Sequence, residues 1–439
     1  MTVPSQPLLP TDVPPVPLPT DPMTGPATGL AAPPTAAPPR GFALLALLAC
    51  IGAGAAQMSA ALLTLTLKAT QLDAASATTT ISLSSGVAGI LTLVALPVVG
   101  ALSDRSRARL GRRRPFLLLA AAAFVAGGFL LVAAPNVPAF VAAHLLITTG
   151  FVTATVTCIA LVTDQLPAER RGPTAALISI GTPLGALVGL AVAVPFGDDL
   201  APLVGIPTAV AVAFLVLLAA VVRDPRPQHA PPAFDLRGFV AVFWVNPLRF
   251  PNFTWVFTSR MLVFSGVAAL NGYQAIYLLQ RLHLEPAGLG RAILLTVVVN
   301  AGVTLLVAPA VGRLSDRLGR RKPFIVAAAL ILATGLVLAA RASTFGGYLL
   351  ACGVVGLGQG VYFAVELVLA TQVLPDPENP AKDLGILKIA DNLPVTLVAA
   401  VAPALLAIGG GGNFAALFVA GAGAAVLGGL VVPLVRGAR

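Results

Sequence analysis

Twelve long apolar runs divide this chain, and runs of that length constrain the fold more than any motif does. They lie near 42–67, 79–102, 116–134, 138–163, 173–196, 200–222, 253–279, 289–312, 324–341, 345–372, 384–408 and 412–435. About 20 apolar residues cross the hydrocarbon core of a bilayer as a helix. In lipid a backbone must satisfy its own hydrogen bonds, so each run is expected to be helical. A barrel needs short strands that alternate apolar and polar residues, and Phe116–Ala134 does not alternate. Only 10% of the 439 residues are charged and the mean hydropathy is +0.93, whereas soluble domains carry roughly 25% charged residues. The expectation is an all-α, polytopic membrane protein.

The charges that remain are placed unevenly. With both termini in the cytoplasm, 21 of the 27 lysines and arginines fall in inner loops and tails, six of them arginines within 103–115. Only Lys68, Arg281, Arg291 and Arg341 fall outside, while Arg260 and Lys388 lie within spans. This is the positive-inside pattern of a multi-pass protein in the cytoplasmic membrane. It accounts for the net charge of +10 as a signal that meets anionic lipid, with no nucleic acid partner. Residues 1–40 hold 13 of the 38 prolines and no apolar run. They read as a disordered Pro-rich cytosolic tail and lack the features of a signal peptide. Residues 41–222 then form one group of six spans, 223–252 a polar cytosolic linker, and 253–439 the second group.

The two groups repeat each other. Gly100-Ala-Leu-Ser-Asp-Arg105 and Gly111-Arg-Arg-Arg-Pro-Phe116 return as Gly312-Arg-Leu-Ser-Asp-Arg317 and Gly319-Arg-Arg-Lys-Pro-Phe324, each following the second span of its group. Leu161-Val-Thr-Asp-Gln-Leu-Pro167 returns as Leu369-Ala-Thr-Gln-Val-Leu-Pro375 at the end of the fourth span. Parallel repeats about an axis along the membrane normal are a transporter architecture, with the solute site between the halves. The repeated loop resembles the signature of the major facilitator superfamily, over the chain from about residue 40 to its end. The resemblance implies two pseudo-symmetric six-helix bundles. More narrowly, Ser103–Phe116, Gln57, Leu96-Pro-Val-Val-Gly100 and Lys382–Pro394 resemble the sucrose and glycoside–cation symporter branch. Gln372 departs from that branch, where an acid is expected, and the two tryptophans, Trp244 and Trp255, lie in or beside the linker.

The candidate functional residues fall into three sets. Asp104 and Asp316 end helices on the inner side, where an acid can cap a neighbouring helix and pair with Arg112 or Arg320. With Arg105, Gly111, Arg317 and Gly319 they form a candidate gate, or else serve only topology. Among charges within spans, Glu366 is mid-span with no basic residue near it in sequence. A lone carboxyl in a dry site can exchange a proton. Lys388 and Asp391 share a helix face and either pair together or reach Glu366, while Arg260 reads as interfacial. Asp164 either joins the proton path or pairs with Arg170 or Arg171. The repeat places Cys158 opposite Glu366 and Gln372 opposite Asp164, which puts the proton site in the C-terminal half. The candidate solute ligands are Gln57, Asn271, Gln274, Asn300 and Gln359, with Tyr273, Tyr277 and Tyr362 as aromatic wall; the resemblance implies that their helices line a cavity. His144 reads as structural, with proton relay as the alternative. Gly181, Gly185 and Gly189, and Gly356 and Gly360, are spaced for close helix packing.

No lysine is followed by Ser or Thr, so there is no P-loop, and neither HExxH nor GxSxG occurs. Cys50, Cys158 and Cys352 lie in apolar runs without CxxC spacing, so no metal or other cofactor is expected. The expected function is secondary active transport of a small organic solute by alternating access in a monomer, as proton-coupled symport of a sugar or glycoside-like solute. Proton-driven efflux of a small amphipathic metabolite or drug is the alternative. A non-transporting membrane receptor is the alternative of another class, and an enzyme is not expected.

Overall fold

A computed structural model describes residues 41–106, 108–222, 224, 249–375 and 380–435. The Pro-rich tail, Arg107, most of the linker, Arg436, Arg439 and the side chain of Lys382 lie outside the described residues. Among the described residues twelve helices are long and apolar enough to cross a membrane. The first six are α1 (Phe42–Leu72), α2 (Ala77–Arg105), α3 (Arg114–Ala133), α4 (Val137–Gln165), α5 (Ala168–Ser179, continued as Gly181–Ala193) and α6 (Leu200–Val221). The second six are α7 (Pro251–Gln280), α8 (Pro286–Leu318), α9 (Lys322–Arg341), α10 (Phe345–Thr371), α11 (Pro380–Ala407) and α12 (Phe414–Val431). Their outer faces are apolar, as lipid requires: Phe129, Leu305 and Leu306 are exposed.

Local chemistry marks where helices begin and end. At the end away from the Arg-rich loops, Asn136 caps α4 and Thr344 caps α10, each accepting from a backbone N–H three residues on. Asn413 caps α12 in the same way, and Asp199 caps α6 by accepting from the Ala201 N–H two residues on. At the Arg-rich end, α3 and α9 open with Pro115 and Pro323, whose missing N–H costs nothing in a first turn. Arg114 donates to the Val222 carbonyl at the end of α6, and its repeat partner Lys322 donates to the Val435 carbonyl beyond α12 at 2.5 Å. A cation thus closes the last helix of each bundle in the same place.

Within each bundle, glycines let backbones approach. A Cβ on Gly189 would sit 2.7 Å from the Ala55 carbonyl oxygen, so α1 and α5 touch through bare backbone. A Cβ on Gly356 would sit 2.5 Å from the Asn300 oxygen, between α10 and α8. The bundles meet along α2 against α11 and α5 against α8, and where a π-helical turn of α1, Ala60–Thr64, meets α7 and α8. At this seam Gly290 packs on Leu63 and Gly197 on Ala287. The Ser82 and Tyr273 hydroxyls are 2.7 Å apart and buried. These contacts lie toward the end opposite the Arg-rich loops.

Candidate functional site

Between the bundles lies a cavity of about 600 Å³. Helices α1, α2 and α4 wall it on one side, and α7, α8, α10 and α11 on the other. Of the expected solute ligands, Gln57, Asn271, Gln274 and Asn300 stand on its wall. Asn300 donates to the Cys352 carbonyl at 3.3 Å. The Thr296 hydroxyl lies 3.2 Å from Gln274 Oε1, which leaves Gln274 Nε2 without a partner, as Gln57 Oε1 is. Buried polar atoms are nearly always paired, so amides left open at a cavity wall are suited to a ligand. Much of the rest of the wall is apolar, including Met58, Leu62, Val267, Val297 and Val395, with two rings, Phe151 and Phe264. The π turn of α1 borders the cavity at Ala61 and Leu62, a placement typical of functional sites.

Four expected wall residues are elsewhere. Tyr273 points into the seam, bonded to Ser82. Tyr362 is buried behind the wall and meets the Phe264 ring edge-on at 6.1 Å, and Gln359 is buried off the cavity. Tyr277 also belongs to the core: its hydroxyl donates to the Ala339 and Ala342 carbonyls at 2.9 and 3.0 Å. Conversely His144, read from sequence as structural, is on the wall. So are Ser85, Thr148 and Asn392, for which no sequence signal stood out from the other small polar residues of the spans.

The charges within the C-terminal bundle gather into one cluster, and two expectations change. Glu366 is not alone: the Arg260 guanidinium bonds it through Nη1. Arg260 is not interfacial either, its side chain being only 11% exposed. Its Nε donates to Asp391 at 2.5 Å, and the guanidinium lies over the Phe264 ring, 5.4 Å from the centroid. Lys388 bonds the other Asp391 oxygen at 3.1 Å from a side chain 72% exposed, and so does not reach Glu366. Two cations and two carboxylates balance, which is how a membrane interior tolerates them. Asp391 alone of the four lies on the cavity wall. The pairing was hidden in sequence because Arg260 meets partners 106 and 131 residues away.

A second cluster closes the Arg-rich end of the N-terminal bundle. Asp164 pairs with Arg112 at 2.6 Å and Arg113 at 2.7 Å, not with Arg170 or Arg171. Asp104 pairs chiefly with Arg113, at 2.6 Å, and only at 4.0 Å with Arg112. Burial disfavours the Arg113 cation, but the Asp164 and Asp104 carboxylates outweigh it and hold its pKa above the ordinary arginine value. Asp224, which the sequence did not single out, accepts from the Arg113 and Arg114 backbone N–H groups at 2.5 and 2.9 Å and so caps α3. Gly111 has φ 106°, and any side chain there would strike the Asp224 carboxylate. Arg105 ends α2, half-buried. In the C-terminal copy Asp316 pairs with Arg321 at 3.6 Å, not with Arg320. Gly319, at φ 60°, ends α8. Arg317 and Arg320 are exposed and form no ion pair with described residues.

The sequence pattern of the Major Facilitator Superfamily matches residues 42–308 and 290–439. The chain belongs to this superfamily. It is a multi-pass membrane transporter and not an enzyme. No curated protein matches it by sequence. Solved structures of the same fold include the nucleoside transporter NupG, 14% identical, covering 91% of this chain and 100% of that one, TM-score 0.69. A D-xylose–proton symporter is 19% identical, with 90% and 98% covered and TM-score 0.65. A bacterial homologue of the human lysosomal transporter Spinster, inward-facing and unoccupied, is 15% identical, with 90% and 94% covered and TM-score 0.66. At these identities the likeness speaks for the fold. Membership in the superfamily gives the seam and the cavity their meaning, since solute sites of such repeats lie between the halves.

Proposed function

We propose that this transporter carries a neutral polyhydroxylated solute of sugar or glycoside type across the cytoplasmic membrane, coupled to protons. The observation that carries the proposal is the position of Asp391, which borders the cavity and bonds Arg260, which in turn bonds Glu366. Solute at the wall and a proton at a buried carboxyl therefore share one chain of hydrogen bonds across α11, α7 and α10. Protonating either acid removes one of two charges that balance Arg260 and breaks a charge-assisted bond between helices. The wall itself offers amides and hydroxyls, with Phe151 and Phe264 as platforms for the less polar face of a ring. The likeness of Ser103–Phe116 and Lys382–Pro394 to the glycoside–cation branch points the same way.

In this reading the Arg-rich loops face the cytoplasm, and the seam at Ser82–Tyr273 closes the outer side. One chain encloses a complete cavity, so the monomer is the working unit. The apolar part of the wall also suits an amphipathic solute moved outward, which is the second reading.

The test uses purified protein in liposomes with phenyl β-D-glucoside, which joins a sugar to an apolar ring. An inward proton gradient drives accumulation in the wild type; one proton moving down about 100 mV supplies roughly 2.3 kcal/mol, enough for about fifty-fold concentration. Glu366→Gln abolishes accumulation and keeps exchange of labelled for unlabelled glucoside. A Glu366→Gln protein that concentrates the glucoside like the wild type sinks the coupling assignment. Proton-dependent loss of the probe from preloaded, right-side-out vesicles selects the outward reading.

A further inference from the structure

The N-terminal side of the cavity holds a buried titratable group that the coupling cluster does not use. His144 on α4 stands on the wall, and its Nδ1 lies 2.5 Å from Ser84 Oγ on α2. Among the described residues no other group bonds either side chain. Thr148 follows one turn later on the same wall, buried, its hydroxyl without a partner. Phe151 follows at the next turn. At a rise of 1.5 Å per residue these three groups lie about 6 Å and about 10 Å along one helix face.

We propose that this face of α4 is a solute-binding subsite, in which His144 Nε2 donates a hydrogen bond to a hydroxyl or ether oxygen of the solute and Ser84 sets the tautomer that makes this so. A neutral imidazole has one donor nitrogen and one acceptor. Among the described residues the Ser84 hydroxyl proton has no other acceptor and His144 Nε2 no partner, so the proton goes to Nδ1 and leaves the ring hydrogen on Nε2. Thr148 donates or accepts one turn on, and Phe151 stacks on an apolar ring face. The subsite contains no charged side chain, so it selects a neutral ligand with an oxygen acceptor at the His144 end. This assignment rests on the cavity being where solute binds.

The side-chain amide of Gln reaches as far as Nε2 and that of Asn only as far as Nδ1, so two substitutions separate the roles. His144→Gln keeps a donor toward the cavity, and KM for phenyl β-D-glucoside uptake stays within about three-fold of wild type. His144→Asn keeps a partner for Ser84 but loses that donor; KM rises about ten-fold while kcat changes less than three-fold. Nitrogen NMR of labelled histidine, with His229→Gln and His283→Gln to leave one histidine, shows the Nε2–H tautomer in wild-type surroundings and a mixture after Ser84→Ala. An Nδ1–H tautomer overturns the assignment, as does an Asn variant whose KM equals that of the Gln variant. A wild type that ignores the glucoside counts against the proposed solute class, and the tautomer then decides for His144.

Discussion

Position 158 in the N-terminal bundle is a buried cysteine, whereas the matching position in the C-terminal bundle is Glu366, held by Arg260. The reverse holds one turn and a half further on. Asp164 ties Arg112 and Arg113 together at the end of α4, whereas its counterpart Gln372 is exposed beyond α10. Yet Arg114 and Lys322 close α6 and α12 alike, and Asp104 and Asp316 each pair with the second arginine after the repeated glycine, Arg113 and Arg321. The halves share the contacts that shape a bundle's ends. They differ in where the surplus charge sits: at the rim of one bundle and in the interior of the other. A rim cluster can hold a conformation, and an interior cluster beside a cavity can sense what enters it.

This contrast breaks most visibly at Arg260. Arg260→Met leaves the buried Glu366 carboxylate without its cation and Asp391 with Lys388 alone, a loss of about 3–5 kcal/mol. It is expected to abolish transport and lower the unfolding temperature in detergent more than any rim substitution does. Adding Glu366→Gln and Asp391→Asn to the same protein restores most of the stability and none of the proton-driven accumulation. Recovery of accumulation in that triple variant would remove the cluster from the coupling path.

Asp164→Asn tests the rim. It takes a carboxylate from two arginines and is expected to cost about 2 kcal/mol, since hydrogen bonds to charged groups contribute roughly 1.5–3 kcal/mol. Unfolding in detergent measures it, and the effect should be smaller than at Arg260. Tyr273→Phe removes the hydroxyl pair with Ser82 that joins the bundles. At about 1 kcal/mol for a neutral hydrogen bond, it should raise the fraction of molecules open at that end about five-fold, read by spin-label distances between α2 and α7. An unchanged distance distribution would show that the seam closes without this bond. The smallest effect is expected from Gln372→Asp, which gives the C-terminal copy an acid at the position that Asp164 holds in the N-terminal one. Exposed pairs contribute up to about 1 kcal/mol, so a gain above that would mean the two rims are built more alike than they look.

The candidate site was legible in part. Gln57, Asn271, Gln274 and Asn300 stand out in sequence because amides are rare in such spans and each needs a reason, and all four line the cavity. Tyr273 and Tyr362 lie off the cavity and His144 on its wall, and the side of the helix each occupies leaves no mark in the sequence. Glu366 was found but its surroundings were not. A neighbour in sequence is a neighbour in a helix only across one turn, and its partner Arg260 comes from another helix.

What the sequence determined by itself was local. A run of about 20 apolar residues must close its own backbone hydrogen bonds in lipid, so helix number and the repeat could be read span by span. The tertiary structure decided which side of each helix faces lipid, core or cavity. In water that choice is written as an apolar stripe on a polar helix. Here lipid and core are both apolar, the stripe vanishes, and only packing brings Arg260 to Glu366 or turns His144 toward Ser84.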